Sequence, residues 1–362
     1  MISIAHPLLG VGEKEAVLRV IDSQQLAQSQ QVAAFEQRFA EICQVREAVA
    51  VSSGTAALHL ALLAHEIGPG DEVITTPFSF AATANVILLV GATPVFVDIE
   101  PDTYTLDPEL VEAAITARTK AILPVHLYGH PAQMKRLTQI AETHHLAVIE
   151  DACQAHAATI DGKPVGGFGT GAFSFYATKN MTTGEGGMIT TNDPVIAERV
   201  RQLRSHGQQE RYVHTTLGYN LRMTDIQAAI GLVQANKLPQ LTQQRIANAA
   251  FLTEGLQEYV QTPLTLPGYS HVYHQYTIRA TANRDAWVSR LRERGVGAAV
   301  HYPLAIHQQP LYVEQADTFR VGSKGLAVAE AAAQQVLSLP VHPALSKEDL
   351  MTIVKEVRML CV

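Results

Sequence analysis

The chain has 362 residues, of which 47% are hydrophobic and 17% charged, and its formal net charge is −7. The length and composition are ordinary for a globular enzyme with one large and one smaller domain. The negative charge disfavours a general nucleic-acid-binding protein, which usually carries a basic face. The N-terminus lacks a basic segment before a long apolar core, and no apolar stretch is long enough to span a bilayer, so we expect a soluble, cytoplasmic protein.

Cysteine, histidine and glycine patterns do not point to common sites. The cysteines Cys43, Cys153 and Cys361 are scattered and form no CxxC pair, so neither a disulfide framework nor a cysteine zinc site is expected. The histidines show no HExxH or similar ligand spacing, and no metal site is predicted. The glycines of Gly167–Gly171 have the wrong spacing for a dinucleotide fingerprint, and no GxxxxGK[ST] motif occurs.

Helices and strands alternate through the first part of the chain. The predicted elements are helices Val11–Ile21 and Val32–Ile42, strand Ala48–Val51, helix Thr55–Ile67, strand Glu72–Thr76, helix Phe80–Val90, strand Thr93–Asp98, helix Pro108–Thr116, strand Lys120–His126, helix Pro131–His144 and strand Ala147–Glu150. Short apolar strands separated by helices imply βαβ units. They predict an α/β fold with a largely parallel sheet that helices cover on both faces.

The second part of the chain continues this alternation and adds a second unit. The predicted elements are strands Ala172–Tyr176 and Gly187–Thr191, helices Pro194–Ser205 and Met223–Gln234, helical segment Lys237–Arg245, strand Gln275–Arg279, helix Arg284–Arg294, strand Gly297–His301, and helices Ala327–Val336 and Lys347–Met359. The first two strands are candidates to extend the sheet. Because Lys237–Arg245 leads out of the large domain, we place that domain at residues 1–245 and a small α/β domain at 246–362.

A glycine between hydroxyl-bearing residues lies where the strand ending at Val51 meets the next helix. Gly54 lets the backbone approach a ligand, and the free amides and hydroxyls of Ser53 and Thr55 at a helix start suit a phosphate. Taken alone, the segment is more often a simple helix cap, because serine and threonine are favoured there anyway.

Two carboxylates, Glu150 and Asp151, stand at the end of another apolar strand. Ligands of open α/β sheets bind at the carboxyl ends of strands, so a carboxylate there can bind a metal, act as a base or hold a cationic ring nitrogen. A strand-end aspartate that caps the next turn is the structural alternative. Because side chains alternate along a strand, at most one of the two points into such a site.

One amine, Lys179, follows the apolar strand Ala172–Tyr176 and precedes a Gly-Glu-Gly-Gly turn. A lysine beside a buried strand is desolvated, which lowers its pKa and frees its lone pair for attack on a carbonyl. In isolation, a surface lysine is the commoner case. The order of the three features favours function, because pyridoxal 5′-phosphate (PLP) needs a helix start for its phosphate, an acid for its ring nitrogen and a lysine for a Schiff base.

Six motifs occur in order along the chain: SSGTAAL, TPFSFAATAN, PVHLYGHP, EDACQAH, FSFYATKNMTTGEGG and GYNLRMTDIQAAIG. Together they resemble the PLP-dependent nucleotide-sugar aminotransferases of the DegT/StrS type, which belong to the aspartate aminotransferase superfamily. The likeness extends from Val32 to Tyr312. It implies the PLP-dependent transferase fold of type I, with a mostly parallel central sheet in a large domain and a small C-terminal α/β domain.

The resemblance implies a role for individual residues. Lys179 is expected to hold PLP covalently, and Asp151 to pair with the protonated pyridine nitrogen. The other implied cofactor contacts are Ser53 beside the cofactor, Gly54, Thr55 and Ser174 at its phosphate, Phe80 on the ring face, Gln154 at the ring hydroxyl, and Asn220 at the phosphate of the other subunit's cofactor. Glu185, His301 and Tyr302 are expected near the nucleotide sugar. A homodimer with shared active sites follows from the position implied for Asn220.

The implied activity moves an amino group from L-glutamate to a 3-keto or 4-keto nucleotide sugar for aminosugar and polysaccharide biosynthesis. The nucleotide carrier and the aminated carbon stay open, although GYNLRMTDIQAAIG slightly favours the carbon-4 enzymes. A sugar dehydratase on the same fold is the nearest alternative, but such relatives carry histidine where this chain has Lys179. A non-catalytic regulator would be favoured by loss of Lys179 or Asp151, and both are present. A cysteine desulfurase would need a reactive loop cysteine and a basic carboxylate clamp, and neither is identified.

Overall fold

The computed structural model describes residues 1–280 and 283–361, so residues 281–282 and 362 of the predicted small domain lie outside the described residues. The α-helices are α1 (Val11–Ser23), α2 (Gln30–Cys43), α3 (Gly54–Ala64), α4 (Ala82–Leu89), α5 (Pro108–Val111), α6 (Met134–His144), α7 (Pro194–Leu203), α8 (Asp225–Leu256), α9 (Arg284–Glu293), α10 (Pro310–Glu314), α11 (Ala327–Gln335) and α12 (Lys347–Arg358). Short 3₁₀ helices span Glu112–Ala114, Leu127–Gly129 and Ile306–Gln308.

The strands form one large sheet and three small ones. They are β1 (Glu47–Val51), β2 (Glu72–Thr75), β3 (Thr93–Phe96), β4 (Thr119–Leu123), β5 (Ala147–Asp151), β6 (Thr159–Ile160), β7 (Lys163–Pro164), β8 (Thr170–Ser174), β9 (Gly187–Thr191), β10 (Gln208–Glu210), β11 (Val213–His214), β12 (Tyr269–Ser270), β13 (Tyr276–Arg279), β14 (Arg320–Val321) and β15 (Val336–Leu339). The large sheet has the order β1-β9-β8-β5-β4-β2-β3-β14.

The large sheet is parallel except for β9, which runs antiparallel to both of its neighbours, β1 and β8. Its strands are apolar and buried because helices cover both faces, as the fully buried Val49, Ile122 and Ile149 illustrate. The mostly parallel α/β architecture predicted from the alternation is therefore confirmed. β8 and β9 extend the sheet, as the sequence suggested.

The pairing of β5 with β8 fixes the geometry of the sheet's carboxyl edge. Asp151, the last residue of β5, lies opposite Ala172, and the neighbouring β8 ends at Ser174. On the other side of β9, β1 ends at Val51 and leads directly into α3. Parallel strands present their carboxyl ends at one edge, so these segments converge there.

Helix α8 connects the large sheet with a second core. It is continuous over 32 residues and contains Pro239, so the prediction of separate helical segments, Met223–Gln234 and Lys237–Arg245, is wrong. The proline removes one backbone donor, but packing of α8 against α1, α2 and α12 stabilises the continuous helix. The C-terminal half of α8 packs Ala249, Leu252 and Leu256 into the second core with β13 and β15. The domain division at residue 245 falls inside α8 and stays a prediction.

Several single elements differ from their predictions. Gly297–His301 forms no strand, because only Ala299 makes a bridge, to Ser338. The predicted helix Pro108–Thr116 is the single turn of α5 followed by a 3₁₀ turn. The helix that was predicted to reach Val336 ends at Gln335. Val336 instead begins strand β15, which the sequence analysis did not predict and which pairs with β13 along its whole length. Among the described residues, no helix is long and apolar enough to cross a membrane.

Candidate active site

A cavity of about 480 Å³ opens at the carboxyl ends of β5 and β8, beside the first turn of α3. Every predicted site residue except Asn220 lines it. These residues are Ser53, Gly54, Thr55, Phe80, Asp151, Gln154, Ser174, Lys179, Glu185, His301 and Tyr302. Motifs that are up to about 250 residues apart in the chain therefore meet in one place, which is what a single ligand site requires.

The first turn of α3 faces the cavity closely. Ser53 is the N-cap of the helix, and its Oγ accepts a hydrogen bond of 3.1 Å from the amide of Ala56. The amides of Gly54 and Thr55 belong to the first turn, whose N–H groups have no acceptor within the helix. A Cβ on Gly54 would lie only 2.6 Å from Ser174 Cβ and 2.9 Å from Cys153 Sγ. Glycine thus lets the positive end of α3 approach β8, and the result is an anion-binding corner.

The two strand-end carboxylates have separate environments. Glu150 faces away from the cavity, where it accepts 2.8 Å hydrogen bonds from the amides of Gly166, Phe168 and Gly169. Asp151 lines the cavity and is only 5% exposed. Its Oδ2 accepts a 2.8 Å hydrogen bond from Thr83 Oγ1. As expected from strand alternation, one of the two points into the site, and that one is Asp151.

Lys179 lies in the short loop that follows β8, and its amide donates a 2.9 Å hydrogen bond to the carbonyl of Tyr176. Burial lowers the pKa of the Lys179 amine below its usual value, although Cys153 and Asp151 nearby act in the opposite direction. A lower pKa raises the fraction of neutral amine at working pH, and only the neutral amine is a nucleophile or a base.

Gln154 joins two walls of the cavity. Its Oε1 accepts a 2.9 Å hydrogen bond from the amide of Tyr128, and its Nε2 donates a 3.3 Å bond to the Tyr302 hydroxyl. Burial raises the pKa of Tyr302, and the negative charge of Asp151 adds to this effect, so the phenol stays protonated. Phe80 is 60% exposed, with its ring centroid 6.1 Å from that of Tyr302. A flat aromatic surface is therefore open toward the cavity.

The remaining predicted residues take different positions. His301 Nδ1 lies 2.9 Å from Ser338 Oγ, and burial together with the charge of Lys179 lowers the pKa of His301 to about 4. Glu185 lines the cavity with an exposed side chain. Asn220 is exposed outside the cavity, and its Oδ1 accepts a 3.0 Å hydrogen bond from Arg222 Nε.

The structure adds cavity residues that the sequence did not reveal. Those of them with polar side chains are Ser79, Thr83, Cys153, Tyr176, Thr178, His274 and Gln275. Thr83 lies within the TPFSFAATAN motif, three residues after Phe80, and this closeness in sequence is the signal that could have identified it as a cavity residue. His274 and Gln275 come from the loop between β12 and β13, far away in sequence, and no local pattern marks them. Among the described residues, no group of acidic, histidine or cysteine side chains is placed to hold a metal ion.

The residues present fit PLP. The first turn of α3 offers amides to a phosphate, and Asp151 is a buried carboxylate with no lysine or arginine salt-bridge partner in the part of the chain that the structure describes. Such a carboxylate accommodates a cationic group, as a protonated pyridine nitrogen is. Lys179 adds a desolvated amine in the same cavity. The cavity therefore contains the anion-binding corner at α3, the carboxylate of Asp151 and the amine of Lys179.

Comparison with known proteins gives matches over nearly the whole chain. Residues 8–358 match the DegT/DnrJ/EryC1/StrS aminotransferase family. A Geobacillus stearothermophilus protein named pleiotropic regulatory protein is 43% identical, with 97% of each chain covered. An Acidithiobacillus ferrooxidans protein named UDP-N-acetyl-3-dehydro-alpha-D-glucosamine 3-aminotransferase is 42% identical, covering 97% of this chain and 92% of the relative.

A solved structure is similar over the same extent. The crystal structure of Streptomyces venezuelae DesV in complex with a ketimine intermediate superposes with a TM-score of 0.93 and 40% sequence identity. The match covers 96% of this chain and 94% of the other. This agreement includes both the large sheet and the second core.

Proposed function

This chain belongs to the DegT/DnrJ/EryC1/StrS aminotransferase family, and on that premise we propose that it moves the amino group of L-glutamate to a keto nucleotide sugar. It is a PLP-dependent nucleotide-sugar aminotransferase, in agreement with its similarity to sugar aminotransferases over the full chain. The observation that carries the finer proposal is the placement of Lys179, Asp151 and the first turn of α3 around one cavity.

Each end of the cofactor would have its own partners in this cavity. Asp151 would hold the pyridine nitrogen in its protonated form, and PLP, when bound, would supply an electron sink for the negative charge that develops at the reacting carbon. The amides of Gly54 and Thr55, with the hydroxyl of Ser174, bind the phosphate beside the cap residue Ser53. Gln154 would contact the ring hydroxyl, and Phe80 would cover a ring face.

Lys179 would have two tasks. It would carry the cofactor covalently through Nζ until the amine of the donor takes over that bond. The released Lys179 amine would then take a proton from the α-carbon of L-glutamate and later deliver a proton to the sugar carbon. Burial supports both tasks because it lowers the pKa of this amine. Glu185, His301 and Tyr302 border the cavity beside the lysine and would contact the nucleotide sugar.

We propose amination at carbon 3 of the sugar. The support is the name of the Acidithiobacillus ferrooxidans relative, which is a 3-aminotransferase by that name. The motif GYNLRMTDIQAAIG slightly favoured carbon 4 instead, so the two positions have to be compared directly.

One observation supports the alternative of a non-catalytic regulator. A relative that is 43% identical to this chain is named pleiotropic regulatory protein. Catalysis is better supported here, because Lys179 and Asp151 are both retained and face the same cavity. The dehydratase alternative is disfavoured by the lysine itself, where those relatives have histidine.

The active unit would be a homodimer in which Asn220 reaches the cofactor phosphate of the partner. Asn220 lies outside its own cavity, at the end of the segment 205–220, in which Tyr212 and Leu217 are 78% and 90% exposed and Val213 and Tyr219 are exposed as well. Several large exposed apolar side chains on one short segment are typical of a surface that another molecule covers.

The proposal is tested with PLP-loaded protein, L-glutamate and a panel of 3-keto and 4-keto UDP and dTDP sugars, with products identified by mass spectrometry and NMR. A 3-aminosugar is the expected product. Borohydride reduction fixes the cofactor to the amine that holds it, and peptide mass spectrometry should then find the label at Lys179. The variant Lys179→Ala should lose both the label and the product. Label on a different residue, or turnover by Lys179→Ala, would refute the assignment.

A further inference from the structure

His274 is a cavity-lining imidazole with an unsatisfied nitrogen. Its side chain is 7% exposed, and among the described residues neither ring nitrogen has a hydrogen-bond partner. Nδ1 is enclosed by protein, whereas Nε2 keeps accessible surface. A buried polar nitrogen without a partner is costly, by about 1–3 kcal/mol for a neutral group. Because the ring lines the cavity, Nε2 is the nitrogen that a ligand can reach, and a ligand there would supply the partner that the protein does not.

The backbone on both sides holds this imidazole in place. The amide of Val272 donates a 3.0 Å hydrogen bond to the carbonyl of Gly129, and the amide of Gln275 donates a 3.2 Å bond to the carbonyl of Tyr128. Asn180, the residue after Lys179, donates a 2.9 Å bond from Nδ2 to the carbonyl of Val272. The loop that carries His274 is thus attached to the lysine loop and to the wall beside Gln154, which preorganises the ring.

The charge around His274 favours a ligand anion. Among the described residues that line the cavity there is no arginine, and Lys179 is the only lysine. Burial lowers the pKa of His274 well below its usual value, and the charges of Lys179 and Arg245 lower it further. His301 and His156 act on it in the same direction. The ring is therefore a neutral hydrogen-bonding group in positive surroundings, which suits an acceptor such as a carboxylate.

The chemistry of the reactants identifies the carboxylate. The anion-binding corner lies at the first turn of α3, and the diphosphate of a nucleotide sugar is several bonds away from the keto carbon of the sugar. The α-carboxylate of an amino acid, in contrast, is bonded directly to the carbon that reacts beside Lys179. Resting on the function proposed above, we infer that His274 binds the α-carboxylate of the amino donor and so contributes to the selection of L-glutamate.

The test separates the two substrates. His274→Phe keeps most of the volume and removes the hydrogen bond, whereas His274→Gln keeps an N–H donor. We expect His274→Phe to raise the KM for L-glutamate about ten- to hundredfold, which matches the loss of a hydrogen bond to a charged group. The KM for the keto nucleotide sugar should stay within about twofold. His274→Gln should lie between His274→Phe and the wild type.

A binding measurement and a matched control complete the experiment. Calorimetric titration of the holoenzyme with glutarate, which has carboxylates but no amino group, should show the same loss of affinity in His274→Phe. His271→Gln is the control, because His271 is buried on the same loop, stacks on Tyr273 at 3.9 Å and does not line the cavity. Its KM values and glutarate affinity should match those of the wild type.

Equal effects of His274→Phe on both substrates, or unchanged glutarate binding, would overturn the inference. If His274→Phe does not fold, the same measurements are made on His274→Gln, for which a smaller increase in the KM for L-glutamate is expected. Failure of the wild type to aminate any sugar would refute the proposed function but not this inference. Release of 2-oxoglutarate from L-glutamate in the absence of sugar and the glutarate titration would still report on His274.

Discussion

Asp151 shows how far single residues can be assigned a task from their surroundings. It and Glu150 are adjacent and both buried, yet only Glu150 is saturated by backbone amides and a histidine. Asp151 has fewer protein partners, principally Thr83 Oγ1 at 2.8 Å and the amide of Cys153 at 3.2 Å. Glu150 is therefore a structural group, and Asp151 keeps acceptor capacity for a ligand.

Thr83→Val should weaken cofactor retention without unfolding the protein. The valine keeps the shape of the side chain but removes the hydrogen bond to Asp151, which leaves the carboxylate less well oriented. Hydrogen bonds to charged groups contribute about 1.5–3 kcal/mol, so the dissociation constant of PLP should rise by about tenfold or more. Equilibrium dialysis of PLP measures it. Thr83→Ser, which retains the hydroxyl, should bind PLP like the wild type, and equal losses in both variants would contradict the explanation.

At the scale of elements, the site depends on the close approach of α3 to β8. The helix can present its first-turn amides to the cavity only because Gly54 has no Cβ in the direction of Ser174 and Cys153. This contact joins β8 to the helix that follows β1, a strand that β9 separates from β8 in the sheet order. The anion corner is thus a property of packing between elements.

Gly54→Ala should separate α3 from β8. The added methyl would meet Ser174 Cβ at 2.6 Å, and overpacking of this kind costs about 1–3 kcal/mol. We expect a lower melting temperature together with weaker PLP binding, measured by differential scanning calorimetry and absorbance. Gly68→Ala is the matched control, because its nearest neighbour would be 3.8 Å away. A Gly54→Ala protein with normal PLP affinity would show that the close approach is not needed for phosphate binding.

At the scale of the whole molecule, α8 connects the N-terminal helix, the large sheet and the second core. Glu13 of α1 is buried against it and accepts hydrogen bonds from Lys237 at 2.6 and 2.8 Å and from Gln234 at 2.7 Å. Burial would raise the pKa of Glu13, but these bonds and the amide of Gly10 outweigh it and lower the pKa to about 2. The N-terminal segment is therefore held to α8 by an ionised carboxylate.

This linkage predicts an acid-sensitive contribution to stability. Because the folded pKa of Glu13 lies below its value of 4.5 in an unfolded chain, the contribution is complete above pH 4.5 and disappears as the pH falls toward 2. The shift corresponds to roughly 3 kcal/mol at most. Glu13→Gln should lower the melting temperature at pH 7 and lose less between pH 5 and pH 3 than the wild type does. Parallel melting curves over that range would contradict the role of Glu13.

The proposed homodimer with shared active sites can be tested by mixing two inactive variants. Lys179→Ala and Asn220→Ala should each be inactive or strongly impaired as homodimers. Mixed dimers contain one site with an intact lysine and an intact partner asparagine, so activity should reappear on refolding the two variants together. If mixing restores no activity above that of either variant alone, Asn220 acts within its own subunit or not at all.

The sequence by itself determined the features that depend on local spacing. Alternating apolar runs and helical periodicity determined the α/β sheet, because each reflects the burial of neighbouring residues. The order of the SSGT segment, Asp151 and Lys179 determined the cofactor class, because PLP needs a fixed set of groups at strand and helix ends. The similarity of the chain to known aminotransferases confirms the family and the enzyme class, while the roles of the individual residues stay predictions.

Only the tertiary structure decided which distant groups meet. Strand β15 exists because β13 pairs with it, and α8 stays helical past Pro239 because three other helices pack on it. Thr83 and His274 enter the cavity through contacts between elements, which leave no periodic trace in either segment. Local patterns report whether a residue is buried, whereas the identity of its neighbours depends on how the whole chain packs, and that is the physical reason for the division.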